Sequence, residues 1–337
     1  MNILITGGAG YIGSVLINKV VNAMANYSNT QTIDSNKDMH DFSCHSLQPG
    51  KIVVYDNLIY KQTSLIDHCY RENFKFVYGD VRDHDKLLPY VKEADMIIPL
   101  AAIVGHPACE KDKVLATQVN YEHIKFIIEN LSNDQGIISP NTNSGYGIGK
   151  GATHCTEDSP LNPVSHYGIT KVRAEEALLN SGKAISLRLA TVFGASPRMR
   201  LDLLVNDFTY KAYTDKYIIL FEHHFKRNYI HIHDVALTII YMLNRYYEHK
   251  GQVFNVGLSS ANLSKLELCK KIKTYIPDFV IKLDEFSKDP DKRNYLVSNK
   301  KLESTGWKPY YTLDGGIQEL LQAYKILSHS NKKFTNL

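Results

Sequence analysis

Tyr167 and Lys171 stand four residues apart in Tyr167-Gly168-Ile169-Thr170-Lys171, and a pair of this kind can move a proton. On a helix, positions i and i+4 share one face. A free phenol has a pKa of about 10, too high for a base at neutral pH. A nearby ammonium favours the phenolate, which makes Tyr167 a candidate base for a hydroxyl proton. Upstream, Ser139-Pro140-Asn141-Thr142-Asn143-Ser144-Gly145-Tyr146-Gly147 offers two further hydroxyls, on Thr142 and Ser144. Either could steady the same substrate oxygen or the charge that develops on it. A Tyr–Lys pair at this spacing also occurs on ordinary surfaces, so the surrounding elements must decide.

Those elements read as an α/β chain. Apolar strands are predicted at Ile3–Thr6, Ile52–Asp56, Phe74–Tyr78, Met96–Ala101, Ile137–Pro140 and Ala184–Leu189. Helices are predicted between them, among others at Tyr11–Ala25, Asn120–Leu131 and Tyr167–Asn180. Short apolar strands alternating with helices imply a Rossmann-type, doubly wound parallel sheet covered on both faces. Residues 1–196 read mainly as this domain. Residues 197–328 read mainly as a smaller C-terminal substrate-binding lobe, with 227–260 returning to the main domain. The polar stretch 27–51 is a surface insertion where a connection of a few residues is usual. His40, Cys44 and His45 lie in it, but they are not read as a metal site.

The first strand runs into Thr6-Gly7-Gly8-Ala9-Gly10-Tyr11-Ile12-Gly13. Gly7, Gly10 and Gly13 fit GxxGxxG better than Gly8, Gly10 and Gly13 fit GxGxxG. Glycines here permit the tight turn, and the helix start at Tyr11 and Ile12 offers free N–H groups to a pyrophosphate. Asp56, followed by Asn57, ends the second strand and can accept from both adenosine ribose hydroxyls; its charge would repel a 2′-phosphate, so NAD is expected over NADP. Asp56 stands 43 residues after Gly13, against the usual ~20, and the insertion accounts for the excess. Asp80 can accept from the adenine amino group, with the Val81 amide beside it. Leu100, Ala101 and Ala102 let the backbone approach the cofactor. With NAD in place, Lys171 can hydrogen-bond the nicotinamide ribose, and the positive nicotinamide further favours the Tyr167 phenolate.

The bulk properties are ordinary for a globular protein. The 337 residues carry a net charge of +4, too small for a dedicated nucleic-acid binder. No apolar run is long enough to span a bilayer. The N-terminus already reads as a core strand rather than a signal peptide. Five scattered cysteines form no disulfide framework, so a cytoplasmic location is expected.

On these motifs the chain resembles the extended short-chain dehydrogenase/reductase family of nucleotide-sugar enzymes over nearly its whole length. The resemblance selects Thr142, four residues before Tyr146-Gly147, as the third member of the catalytic set. Arg188-Leu189-Ala190-Thr191-Val192-Phe193-Gly194 is similar to the family's segment beside the nicotinamide, implying a contact from Val192; the family has Asn where Thr191 stands. Arg227-Asn228-Tyr229-Ile230-His231-Ile232-His233-Asp234-Val235 is similar to RDYIHVxDVA and implies that Arg227 contacts the nucleotide diphosphate. Arg293 matches a second phosphate-binding Arg. His231 and His233, alternating on a predicted strand, read as structural.

The family oxidises C4 of a hexose-like sugar. Its 4,6-dehydratases carry Asp-Glu after the catalytic Thr, where this chain has Asn143-Ser144, so dehydration is not expected. Residues 140–149, Met199–Phe208 and 289–293 resemble the GDP-heptose 4-dehydrogenase branch of capsule heptose synthesis. That likeness implies a GDP-sugar substrate contacted by Asn143, Ser144, Asp202 and Leu203, tightly held NAD, and a 2-oxo acid that recycles NADH. The alternatives are a nucleotide-sugar 4-epimerase and a non-catalytic NAD-binding module. A homodimer joined through helices near 120–131 and 167–180 is expected by the same likeness.

Overall fold

In the computed structural model, residues 1–29, 50–149, 153–285 and 293–329 are described. Most of the 27–51 insertion, with His40, Cys44 and His45, lies outside them, as do the turn at 289–291 and the chain beyond 329. Among the described residues, seven parallel strands build the main sheet: β1 (Ile3–Thr6), β2 (Ile52–Asp56), β3 (Phe74–Tyr78), β4 (Met96–Pro99), β5 (Gly136–Thr142), β6 (Ala184–Leu189) and β7 (Val253–Val256). Their order is β3-β2-β1-β4-β5-β6-β7. The winding reverses between β1 and β4, and in open α/β sheets a crevice opens there at the carboxyl ends of the strands. The register places Thr6 level with both Tyr55 and Pro99. Gly7, Asp56 and Leu100 therefore leave the sheet at one edge.

Alternation fixes the layers. Ile3 and Ile5 pack with Leu16 and Val20 in one core, while Leu4 packs with Ile124, Ile127 and Leu178 in the other. Helix Tyr11–Asn29 packs on helix Ile232–Asn244 on the first face. Helices His123–Glu129 and His166–Asn180 pack together on the second. The smaller region holds helices Leu204–Thr214 and Leu313–Leu327, which pack on each other, and a parallel strand pair, Tyr217–Phe221 with Val280–Asp284.

Several predicted boundaries shift, each for a local reason. The fourth strand stops at Pro99 rather than Ala101, leaving Leu100–Ala102 as open backbone. The fifth continues past Pro140 to Thr142, because Asn141 and Thr142 keep their register with Arg188 and Leu189. The helix predicted at Asn120–Leu131 ends at Glu129 and is preceded by a π turn, Gln118–Glu122. Asn120 causes that turn's inward cast: its carboxamide accepts from Ile103 N at 2.8 Å and donates to Ile103 O at 3.0 Å. His231 ends strand Lys226–His231, but His233 is helical, in Ile232–Asn244. The two therefore do not alternate on a strand; their rings stack 5.4 Å apart, with Tyr311 over both.

Candidate active site

The catalytic helix, His166–Asn180, starts where Ser165 caps it by accepting from Gly168 N. Tyr167 sits in its first turn and Lys171 one turn on. Thr142 ends β5 and caps the next short turn, accepting from Ser144 N at 3.1 Å. Sheet and helix thus bring Thr142, Tyr167 and Lys171 to one cleft of about 650 Å³. Thr142 shares a side-chain hydrogen bond with Tyr167 and donates to Ser144 Oγ at 2.9 Å. Ser144 in turn accepts from the Arg293 guanidinium.

Burial and neighbouring charges set the electrostatics of the pair. Burial drives the Tyr167 phenol up to about 12, and Arg293, Arg200 and the Thr142 hydrogen bond pull the other way. The Lys171 ammonium is turned to the backbone, donating to Pro140 O at 3.0 Å. Burial pulls Lys171 down to about 8, opposed by the Glu175 carboxylate. Among these causes, Arg293 and Arg200 are the cations that favour the phenolate.

The cofactor half of the cleft is lined by Gly7, Gly10, Tyr11, Ile12, Gly13, Asp56, Asn57, Asp80, Val81, Leu100, Ala101, Ala102 and Val192. Gly7 has φ +68°, and a Cβ there would lie 2.4 Å from Ala101 N. A Cβ on Gly13 would lie 2.3 Å from Gly8 O, whereas Gly10 faces open space apart from Gly7 O at 3.1 Å. Gly8 is directed into the core against Val54. These contacts agree with the Gly7, Gly10, Gly13 reading. Asp56 is buried and accepts from Ala9 N at 3.0 Å and Leu58 N at 2.8 Å, so it also braces the glycine loop. Both Asp80 oxygens accept from Arg82, at 2.9 Å each, and this bonding holds its carboxyl down at about 2. Asn57 adds a bond to Asp80 at 3.2 Å. An open helix start, a side-chain-free Gly10 and an anionic Asp56 at the second strand's tip fit a dinucleotide with a free ribose 2′-hydroxyl.

At the substrate end, Ser144, Asp202, Leu203, Arg227 and Arg293 line the cleft, but Asn143 does not. Asn143 is buried in the short turn after Thr142. Arg198, Arg200 and Lys265 join the lining and were missed by the motif reading. Arg200 is paired with Asp202 at 2.5 Å, and Arg198 lies 4.3 Å from the centroid of Tyr60, a cleft residue from the other wall. The signal for Arg198 and Arg200 was their placement just before and in the stretch 199–208; Lys265 lies outside it. Arg188 opens the 188–194 segment, but no spacing announces its pairing with Glu175, 2.7 Å away behind Lys171.

Comparison with known proteins decides the family. The model described as NAD dependent epimerase/dehydratase family matches residues 3–257. The chain belongs to that family. As a member it is an NAD-dependent enzyme with the Rossmann-type fold built above. A putative UDP-glucose 4-epimerase of Methanocaldococcus jannaschii is 25% identical, over 96% of this chain and 98% of its own length. Mouse dTDP-D-glucose 4,6-dehydratase is 23% identical, covering 98% of this chain and 90% of its own. Among solved structures, the UDP-glucuronic acid 4-epimerase of Bacillus cereus superposes with a TM-score of 0.79 at 22% identity, covering 97% of this chain and 100% of its own. This family member shares with them the fold, and the described residues include no helix long and apolar enough to cross a membrane.

Proposed function

We propose that the enzyme oxidises the C4 hydroxyl of a nucleotide-activated sugar to a 4-keto sugar, with a GDP-heptose or related GDP-sugar as the preferred substrate. When bound, NAD accepts the hydride. Tyr167 takes the hydroxyl proton, Thr142 holds the same oxygen, and Lys171 orients the cofactor ribose. The arginines around Tyr167 offset its burial, and the positive cofactor acts in the same sense. Arg227 and Arg293, with Lys265, bind the diphosphate. The observation that carries this reading is the convergence of Thr142, Tyr167 and Lys171 at the meeting point of the dinucleotide cradle and the cationic end of one cleft.

Loss of water across C5 and C6 needs an acid–base pair beside the sugar. Asn143 and Ser144 exchange no proton at neutral pH, and Asn143 is turned away from the cleft. A 4-epimerase is the second reading. It is favoured by the Tyr60–Arg198 contact, made between two cleft-lining residues, which would help retain NAD between half-reactions. Incubating the enzyme with GDP- and UDP-sugars, with and without 2-oxoglutarate, separates the two. A keto sugar two mass units lighter supports the dehydrogenase. An unchanged mass with inverted stereochemistry selects the epimerase, and loss of water selects a dehydratase.

A further inference from the structure

Behind the catalytic helix lies a buried polar cluster that the proton transfer itself does not use. Its centre is Glu175, one turn beyond Lys171 and 3% exposed. One Glu175 oxygen, Oε1, accepts from Arg188 Nε at 2.9 Å and Nη2 at 2.7 Å. The other, Oε2, accepts from Ser186 Oγ at 2.7 Å and Asn141 Nδ2 at 3.0 Å. The Asn141 carboxamide reaches further. Nδ2 also donates to Lys171 O at 3.2 Å, and Oδ1 accepts from Thr142 N at 3.0 Å. One side chain therefore touches the backbones of two members of the catalytic set while standing on Glu175. The neighbouring Pro140 carbonyl holds the Lys171 ammonium at 3.0 Å, so residues 140–142 grip Lys171 at both ends.

We propose that Asn141 and Glu175 are positioning residues: the Asn141 carboxamide, seated on Glu175, sets the spacing between Thr142 and Lys171, and Glu175, one helical turn beyond Lys171, supplies the negative charge on its side of the cluster. The proposal rests on the reading of Thr142 and Lys171 as catalytic. An unpaired ammonium in this apolar setting would shed its proton near neutrality. The groups around Lys171 are few. Glu175 is on its own helix; Arg188, on β6, points at Glu175. His123, from the packed helix His123–Glu129, is held neutral, with burial pushing it down to about 3. Tyr167 is the phenol it serves. Across neutral and alkaline pH, Glu175 is therefore the anion that opposes the loss of the Lys171 proton.

The signs give the test. Glu175→Gln keeps the shape and most of the hydrogen bonds but removes the charge. Lys171 should then lose its proton about one pH unit lower, moving the alkaline limb of kcat down and costing about tenfold in kcat above the wild-type limb. Arg188→Met leaves Glu175 uncompensated and should move the same limb up. Asn141→Ala should lower kcat about tenfold at its optimum, with KM and the Lys171 titration unchanged. The Lys171 titration is also read without turnover, from the pH dependence of reductive methylation of its peptide by mass spectrometry. A chain inactive on every nucleotide sugar would thus sink the functional reading while the titration still tested Glu175. The double variant Glu175→Gln/Arg188→Met removes both buried charges and guards against misfolding of Arg188→Met. It should retain a lowered titration, because the ammonium then faces no anion. Wild-type titrations in Glu175→Gln and the double variant, or Asn141→Ala within twofold of wild-type kcat, would overturn the proposal.

Discussion

One oxygen separates Tyr167 from phenylalanine, and the proposed chemistry depends on it. Tyr167→Phe should lower kcat by about 10²–10⁴-fold, the range for a lost general base. NAD content should be unchanged, as measured by mass spectrometry of the cofactor released on denaturation. Gly13→Ala should do the reverse, yielding protein with little cofactor, because its Cβ would press on Gly8 O at 2.3 Å. At this scale the sequence was most legible where chemistry leaves a spacing: the glycines, Asp56, and Tyr167 with Lys171. It was least legible where direction matters. Asn143 and Ser144 are neighbours, yet Ser144 faces the cleft and Asn143 does not. The arginines that act on Tyr167 come from residues 200 and 293, and no local spacing announces that they meet.

Elements were readable where an apolar run had one explanation. The strands Ile3–Thr6, Ile52–Asp56, Phe74–Tyr78 and Ala184–Leu189 have the expected ends. The strand Val253–Val256 was missed because it is short and carries a buried polar residue, Asn255, which accepts from the Tyr146 hydroxyl at 2.6 Å. The pairing that makes this Asn tolerable is invisible without the fold. The predicted helix at 120–131 begins at His123, whose imidazole is buried and held down at about 3 by that burial. An unfolded histidine binds its proton near pH 6.5, so between there and about pH 3 the unfolded chain holds more protons. Stability is therefore complete above pH 6.5 and falls on acidification, by up to ~1.4 kcal/mol per pH unit from this residue. Urea unfolding from pH 7.5 to 4.5 should show that slope. His123→Leu should flatten it, and an unchanged slope would exclude His123 as its source.

For the whole molecule, the sheet supplies one wall of the cleft and the smaller region supplies cations for the other. Arg198 lies over the Tyr60 ring, and both residues line the cleft. A cation–π contact of this kind contributes about 0.5–2 kcal/mol, so Arg198→Ala should release NAD about two- to thirtyfold faster in a chase with labelled cofactor. We also propose a homodimer through the helices near 120–131 and 167–180, where Ile169 is exposed. Light scattering at micromolar concentration should give twice the chain mass, and a monomer would refute it. The central claim concerns a hydride from C4, and isotope transfer tests it most directly. The enzyme would be given a GDP-sugar deuterated at C4, and the cofactor freed by acid quench during turnover would be examined by mass spectrometry. Deuterium on the reduced cofactor, lost in Tyr167→Phe, is the expected result; product formed with every deuterium still at C4 and none ever on the cofactor would contradict the account.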